Sequence, residues 1–352
     1  MAARWRGRTR VAAILVLLLG TPSIVSAGSP SPEAEGRSIC RASYPGGVRL
    51  SYEWKDAAGT TRKIALPVPD LELRATELAF GFTLEELRTF LVQAEVKIRE
   101  EEGLSALDIA RKVVSRISDP EWCRVTQDPA SDFAVVMRTD HAGRPGAQAE
   151  IERILEAYRR RWEASRKTVC DRLDRRLKDF AAARGMDVTS RGIAVDYKKL
   201  VQASAERLKP VADEFRRICG SSKARLLEAV YSFVESIPYR PQPPVEGGRY
   251  TAGVSVPLRV LIDDQGDCDS KAVLFAALWL NLSGHRTILV RVPEHMLVGV
   301  TFPTLRGGTL KVQGRSYLLL EMNCPGRSRP GLVSRYAADA IDAGNYKYLI
   351  VS

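Results

Sequence analysis

Hydrophobic and polar residues alternate in two short stretches near the start of the chain, over residues 48–54 and 64–68. An alternation with a period of two predicts strands that bury one face, and Ala58 and Gly59 between the stretches indicate a turn. Residues 48–68 are therefore expected to form a β-hairpin.

Helical signals follow this hairpin. Thr83 and Glu86 have the spacing of a capping box, which predicts that a helix begins near residue 84. Gly103 should interrupt this helix. A second helix is expected over about residues 105–117, followed by a short strand over residues 133–137.

The pattern changes at Ala147, where apolar residues begin to recur every three, four or seven positions among many charged ones. This period predicts a long amphipathic helix that ends before Gly185. A second helical run is expected over about residues 195–218. Residues 146–221 are thus interpreted as a helical spacer or hairpin, with a substrate-gripping or oligomerising arm as the functional alternative.

The last third of the chain predicts a helix, a long loop rich in proline and glycine, a second helix and then a series of strands. The helices are expected at residues 222–236 and 268–282, the loop at 238–260, and the strands at 287–292, 296–302, 310–312 and 316–322. Helices followed by antiparallel strands are typical of an α+β fold.

The first 27 residues have the pattern of an export signal. Four arginines precede an apolar run over residues 11–20, and small residues at Val25 and Ala27 suit cleavage before Gly28. The run is too short to span a bilayer comfortably, with an uncleaved anchor as the lesser alternative. We expect an exported protein, periplasmic or secreted, with no transmembrane segment after signal removal.

The net charge and length of the chain indicate which partners and how many domains to expect. The chain has 352 residues with a formal net charge of +11, and removing the four leader arginines leaves +7. Such a protein could contact anionic surfaces of the cell envelope. No recognition motif interleaves its basic residues with aromatic ones, so nucleic acid is not an expected partner. The expected organisation is a signal peptide (1–27), an N-terminal α+β region (28–145), the helical spacer (146–221) and a C-terminal domain (222–352).

Disulfides are expected because the protein is predicted to be exported. The six cysteines are Cys40, Cys123, Cys170, Cys219, Cys268 and Cys324. The pairs Cys40–Cys123 and Cys170–Cys219 are a guess, because sequence alone does not fix connectivity. A Cys268–Cys324 bond is the rival, and it would make a redox-sensing pair.

The residue pattern around Cys268 is the most specific chemical signal in the chain. Residues 266–269, Gly-Asp-Cys-Asp, form a turn that leads into an apolar helix, with Asp267 at the predicted N-cap. A helix N-terminus favours a thiolate, so we expect a lowered pKa for this thiol. His295 and Glu321 follow on predicted strands and supply an imidazole and a carboxylate. Together the three groups are the parts that a thiol acyl-transfer site requires.

Residues from about 223 to 330 resemble the transglutaminase-like superfamily, which shares the fold of papain-like cysteine peptidases. The resemblance lies in residues 233–239, which end in Tyr239, and in residues 261–269 around Cys268. It implies a nucleophilic cysteine at a helix N-terminus, a histidine on one strand and an acid on the next. Glu321 stands where aspartate is commoner, and Asn323 is an alternative partner for His295.

Stabilisation of an oxyanion needs two donors. The backbone N–H of Cys268 is one, and Tyr239 or Gln265 is proposed for the second. Lys271 could favour the thiolate but is more simply a solvated helix charge. His141 and His285 are expected to have no catalytic role.

No cofactor or metal is expected. An EF-hand loop that starts at Asp263 would need glycine at its sixth position and glutamate at its twelfth, where Cys268 and Leu274 stand. No CxxC or HxxxH spacing supports a zinc site. The sequence thus predicts an exported thiol enzyme, a cysteine peptidase, amidase or acyltransferase, that cleaves or transfers amide bonds of protein or peptide substrates through a thioester. The alternative is a non-catalytic binding or scaffold protein of the cell envelope.

Overall fold

The computed structural model describes residues 2–4, 37–56, 58–119, 121–128, 131–137, 144–302, 307–323 and 329–352. Most of the expected leader, His141 and Cys324 lie outside these ranges. The rival Cys268–Cys324 pair therefore includes one residue, Cys324, that lies outside the described residues.

The helices are named here in chain order. They are α1 (Asp70–Ala79), α2 (Leu84–Glu101), α3 (Ala106–Ile117), α4 (Ala147–Ala182), α5 (Tyr197–Arg207), α6 (Lys209–Cys219), α7 (Lys223–Glu235), α8 (Pro257–Asp263), α9 (Cys268–Ser283) and α10 (Arg335–Asp342).

The strands form several small antiparallel sheets. They are β1 (Ala2–Arg4), β2 (Ser38–Tyr44), β3 (Gly47–Lys55), β4 (Thr61–Pro69), β5 (Phe82–Thr83), β6 (Cys123–Asp128), β7 (Ser131–Met137), β8 (Met186–Thr189), β9 (Gly192–Val195), β10 (Val245–Glu246), β11 (Arg249–Tyr250), β12 (Thr287–Val292), β13 (His295–Val300), β14 (Thr309–Val312), β15 (Arg315–Leu320) and β16 (Lys347–Ile350).

The chain forms two compact units. The described residues of the first lie within 2–4, 84–181 and 190–192, and those of the second lie within 37–83, 182–189 and 193–352. In the first unit, α3 and the N-terminal half of α4 share a core with the β1-β7-β6 sheet through residues such as Ile109, Cys123 and Tyr158. Further along α4, Phe180 stacks on Phe90 of α2, with ring centroids 4.4 Å apart.

A curled antiparallel sheet forms one side of the second unit, with the strand order β14-β15-β13-β12-β16. In β12 and β13 nearly every residue is buried, because both faces of these strands are covered. Gly299 of β13 lies so close to β12 that an added Cβ would come within 2.7 Å of Ile288 Cγ1.

Helix α9 is the centre of the second unit. Its own residues are apolar on nearly all faces, which is the pattern of a buried helix. Among its residues, Asp269, Leu280 and Asn281 are the ones that are not buried. It packs against α5, α6, α7 and α8 and against strands β12 and β13. Gly284 ends it with a left-handed φ of 63°, the conformation that glycine adopts most readily.

The β2-β3-β4 sheet also belongs to the second unit. Trp54 of β3 is fully buried, packs edge-on against Phe215 and Phe233, and donates from its indole N–H to Ser232 Oγ at 3.1 Å. Arg37 forms an ion pair with Asp264 at 2.6 Å. This sheet is therefore attached to the helices that precede Cys268.

The predicted α+β class is confirmed. The hairpin near residue 58, the long helix after Ala147 and the four C-terminal strands are found within one or two residues of their expected bounds. The expected run over 195–218 is two helices, because Pro210 lies in the first turn of α6 and cannot continue α5. Helices α1, α8 and α10 were not predicted, nor were the strands β1, β2, β5, β6, β8, β9, β10, β11 and β16. Helix α8 and strands β10 and β11 lie wholly or partly in the expected loop over residues 238–260.

The two units divide the chain differently from the expected domains. Residues 37–83 were assigned to an N-terminal region with α2 and α3, yet they belong to the second unit, as do α5 and α6 of the expected spacer. The reason is long-range aromatic packing around Phe233, which local periodicity does not report. None of the helices within the described ranges combines the length and apolar character that a membrane span requires.

The predicted pairs Cys40–Cys123 and Cys170–Cys219 are wrong, because all four are free thiols in the structure. Each guessed pair joins an exposed cysteine to a buried one. The spacing of cysteines along a sequence does not determine which sulfurs meet in the fold, so the two pairings had no geometric basis.

Candidate active site

Cys268 is the first residue of α9. Asp267 has the extended backbone of an N-cap and accepts a hydrogen bond from the Ser270 N–H at 2.8 Å. Gly266 precedes it, and a Cβ there would lie 3.3 Å from Val260 and 3.4 Å from Lys271. The predicted turn therefore places the thiol at a helix N-terminus.

His295 and Glu321 are in direct contact. His295 begins β13, Glu321 directly follows β15, and these two strands are hydrogen-bonded neighbours. The His295 Nε2 lies 2.9 Å from Glu321 Oε1. With Nε2 engaged by the carboxylate, Nδ1 is the ring nitrogen left to exchange a proton with another group.

The Glu321 carboxylate is nearly buried and is held on both oxygens. Its Oε2 accepts from the Ser334 N–H at 2.6 Å, and the Tyr231 hydroxyl donates to its backbone oxygen at 2.9 Å. Burial alone would raise the pKa of Glu321, but hydrogen bonds from His295 and Ser334 hold it below the usual 4.5. Glu321 is therefore a fixed anion that can orient the imidazole.

Asn323, the alternative partner of His295, does not take this position. Its Oδ1 is buried without a hydrogen-bond partner among the described residues.

Cys268 lies beside the start of β13. The backbone N–H of Met296, the residue after His295, donates a hydrogen bond to its sulfur. The thiol is 9% exposed. Helix α9 and strand β13 thus bring the predicted nucleophile next to the strand that carries the predicted base.

The expected lowering of the Cys268 pKa is wrong for this arrangement. Burial raises the pKa of the thiol, and the carboxylates of Asp269 and Asp267 raise it further. Burial and Asp269 also raise the pKa of Asp267 to about 6. Burial, together with the negative charges beside the sulfur, outweighs the effect of the helix N-terminus.

Asp269 connects the thiol to helix α5. Its Oδ1 accepts from the Cys268 S–H at 3.3 Å, and its Oδ2 accepts from the Tyr197 hydroxyl. Sequence reasoning missed this link. Asp269 stands beside the cysteine in the motif, but Tyr197 is 72 positions away and no local pattern connects them.

The two candidates for the second oxyanion donor lie on the segments that flank Gly266. Tyr239 forms a parallel bridge with Gly266, and burial, followed by the Cys268 charge, raises the pKa of its phenol. The Gln265 side-chain oxygen accepts from Arg240 Nη1 at 2.9 Å, which leaves its amide N–H groups for other acceptors. Both roles remain predictions.

Lys271 is not the solvated charge that its sequence position indicated. It is 1% exposed and donates to the backbone oxygens of Glu235 at 3.0 Å and Ile237 at 2.8 Å. Burial lowers the pKa of Lys271 from the usual 10.5 to about 7. The apolar residues on every side of α9 were the signal that a lysine within it would be buried.

His285 was expected to have no catalytic role, and no metal site was expected. His285 stacks on Trp279, with ring centroids 6.5 Å apart. Within the described ranges, no group of three or more His, Cys, Asp or Glu side chains has the geometry of a metal site.

Comparisons with protein families, with curated proteins and with solved structures found nothing that matches this chain.

Proposed function

We propose that this chain is an exported thiol enzyme of transglutaminase-like type that cleaves or transfers amide bonds of protein or peptide substrates. The supporting observation is the 2.9 Å contact between His295 and Glu321 beside a thiol that begins a buried helix. A helix that carries the nucleophile, packed on an antiparallel sheet that carries the imidazole and the acid, is also the layout that the sequence resemblance implies.

The proposed reaction uses the three side chains in order. The Cys268 proton moves to His295 Nδ1, and the sulfur attacks the substrate carbonyl carbon. His295 then returns the proton to the departing amine as the C–N bond breaks, which leaves a thioester. Water or a second amine, deprotonated by His295, attacks the thioester and regenerates the thiol.

Glu321 stabilises the imidazolium that forms in each half of the reaction. Its carboxylate is already desolvated and fixed by the Ser334 N–H, so no reorganisation is needed when the ring becomes charged. The backbone N–H of Cys268 and a donor from Tyr239 or Gln265 would bind the oxyanion.

A substrate-independent test is the rate at which iodoacetamide alkylates Cys268 in the folded chain, followed by peptide mass spectrometry. His295→Ala should slow this alkylation, because the thiol loses the group that accepts its proton. His285→Ala is the matched control, since it removes an imidazole that the structure places against Trp279. Equal rates in the two variants would refute the thiol–imidazole pair.

Turnover is tested with fluorescein-labelled casein for hydrolysis and with dansylcadaverine incorporation into casein for amine transfer. Cys268→Ala should abolish whichever activity is present, while Cys40→Ala, which changes an exposed free thiol, should not. Full activity in Cys268→Ala would refute the proposal.

The second candidate is a non-catalytic binding or scaffold protein of the cell envelope. The raised pKa and small exposure of the thiol favour it, because a protonated, buried sulfur is a poor nucleophile. It predicts no turnover in either casein assay and an alkylation rate at Cys268 below that of the exposed Cys170.

A further inference from the structure

The carboxylate of Asp269 lies between the thiol of Cys268 and the hydroxyl of Tyr197, and all three residues belong to the second unit. One oxygen accepts the Cys268 S–H at 3.3 Å, and the other accepts the Tyr197 O–H. Asp269 is the second residue of α9, where a carboxylate is stabilised by the helix N-terminus. Its negative charge is therefore supported from two sides while it faces the sulfur.

This contact directs the thiol proton to Asp269 in the free protein. An S–H group has one proton and can donate one hydrogen bond at a time, so a thiol bonded to Asp269 is not donating to His295. The sulfur also accepts from the Met296 N–H, which lowers the thiol pKa but does not outweigh burial and the two carboxylates.

We propose that Asp269, held by the Tyr197 hydroxyl, is a positioning residue that retains the proton on Cys268 until the S–H bond turns from Asp269 to His295. This inference rests on the proposed thiol chemistry and adds its control. Breaking the S–H···O bond and forming S–H···Nδ1 moves no charge. The proton passes from sulfur to nitrogen only as the sulfur attacks, so the carboxylate is never protonated.

The surrounding charges agree with this assignment. Burial and then Asp269 have the largest effects on the Cys268 pKa, and both raise it. Asp267 also raises the pKa of Cys268. For Tyr197, burial and then Asp269 raise the pKa, and Arg291 lowers it. Burial lowers the pKa of Lys271, and the Cys268 charge partly opposes this. Burial, followed by the Cys268 charge, raises the pKa of Tyr239.

The proposal predicts opposite effects for two substitutions that differ from the native side chains by one polar atom. Asp269→Asn removes a negative charge within about 4 Å of the sulfur, which should lower the thiol pKa by about one unit or more and speed alkylation at pH 7 about tenfold. Tyr197→Phe removes the donor that shares the carboxylate charge. The carboxylate then holds the S–H more strongly, and alkylation should slow by about threefold.

The experiment measures the pH–rate profile of Cys268 alkylation by iodoacetamide in the full chain and both variants. The midpoint should move to lower pH in Asp269→Asn and to higher pH in Tyr197→Phe. The buried Cys123 and Cys219 report on folding, and their labelling should not increase. A purely structural role would move both variants in the same direction, because both would loosen the site.

Unchanged or slower alkylation in Asp269→Asn, or a shift of the same sign in the two variants, would overturn the inference. The His295→Ala variant separates this result from the proposed function. If opposite shifts are found but His295→Ala alkylates at the wild-type rate, Asp269 controls the thiol and the catalytic pair is wrong.

Discussion

Replacing Glu321 by glutamine removes one negative charge and keeps the size of the side chain. In the native structure Oε1 lies 2.9 Å from His295 Nε2, and Oε2 accepts the Ser334 N–H at 2.6 Å. A glutamine can keep its carbonyl oxygen on only one of these donors. If it faces Ser334, its NH₂ group meets the nitrogen of His295 that must donate, and the imidazole loses its orientation.

The size of the effect follows from these two contacts. A hydrogen bond to a charged group contributes about 1.5–3 kcal/mol, and each 1.4 kcal/mol corresponds to about a tenfold change in rate. We therefore expect Glu321→Gln to lower kcat/KM, or the alkylation rate of Cys268, by about 10- to 150-fold. The free energy of unfolding should fall by about 1–3 kcal/mol, because a buried donor loses its partner.

The pH dependence of stability provides a second measurement. The folded state holds the pKa of Glu321 below its usual 4.5, so the carboxylate stabilises the fold above that pH. This contribution is lost as pH falls through the lower, folded pKa. The difference between native protein and variant in urea unfolding should thus be largest above pH 4.5 and shrink in more acidic buffer.

Glu294→Gln is the matched control, because this exposed carboxylate lies next to His295 in sequence, whereas the carboxylate that contacts the His295 ring in the described structure is that of Glu321. It should leave both rate and stability nearly unchanged. The reasoning is refuted if Glu321→Gln keeps the native alkylation rate, or if the two glutamine variants behave alike.

Three further substitutions test the surrounding structure by urea unfolding. Gly299→Ala should lower the free energy of unfolding by about 1–3 kcal/mol, because the new Cβ would come within 2.7 Å of Ile288. An unchanged urea midpoint would show that β12 and β13 can move apart to admit it. Trp54→Ala should lower the free energy of unfolding by about 3–5 kcal/mol and unfold α9 together with the β2-β3-β4 sheet. Loss of the β2-β3-β4 sheet alone would contradict its assignment to the same unit as α9. The folded state lowers the pKa of Lys271 to about 7, so between pH 7 and 10 the unfolded chain binds more protons than the folded one. The free energy of unfolding should therefore rise over that pH range, and Lys271→Met should lack this rise.

The local structure could be predicted from sequence wherever periodicity determines it. Strands β12 and β13 are apolar runs separated by Pro293 and Glu294, and the structure joins them as a hairpin with Val292 opposite His295. The N-cap at Asp267 and the C-cap at Gly284 fixed both ends of α9. Each of these features depends on neighbours in the chain.

The parts that were missed depend on residues that are distant in sequence. Phe233 brings β3 into the second unit, and the Tyr197 hydroxyl reaches Asp269 from a helix that was expected to be part of a spacer. The position of Lys271 follows from the burial of the whole of α9, which depends on four helices packed around it. Only the packed structure reveals such contacts.

The thiol shows most clearly why a motif does not determine chemistry. A helix N-terminus stabilises a nearby anion by about 0.3–2 kcal/mol, which was the basis for expecting a reactive Cys268. Burial opposes this effect most, and the negative charges of Asp269 and Asp267 oppose it further. A like charge at 4 Å near a protein surface contributes about 4 kcal/mol. The balance of burial and charge therefore favours a protonated thiol. In the proposed reaction, the imidazole held by Glu321 would then receive the proton during attack rather than before it. A reactive site in this chain thus requires both the His295–Glu321 pair to accept the proton and a rearrangement that frees it from Asp269.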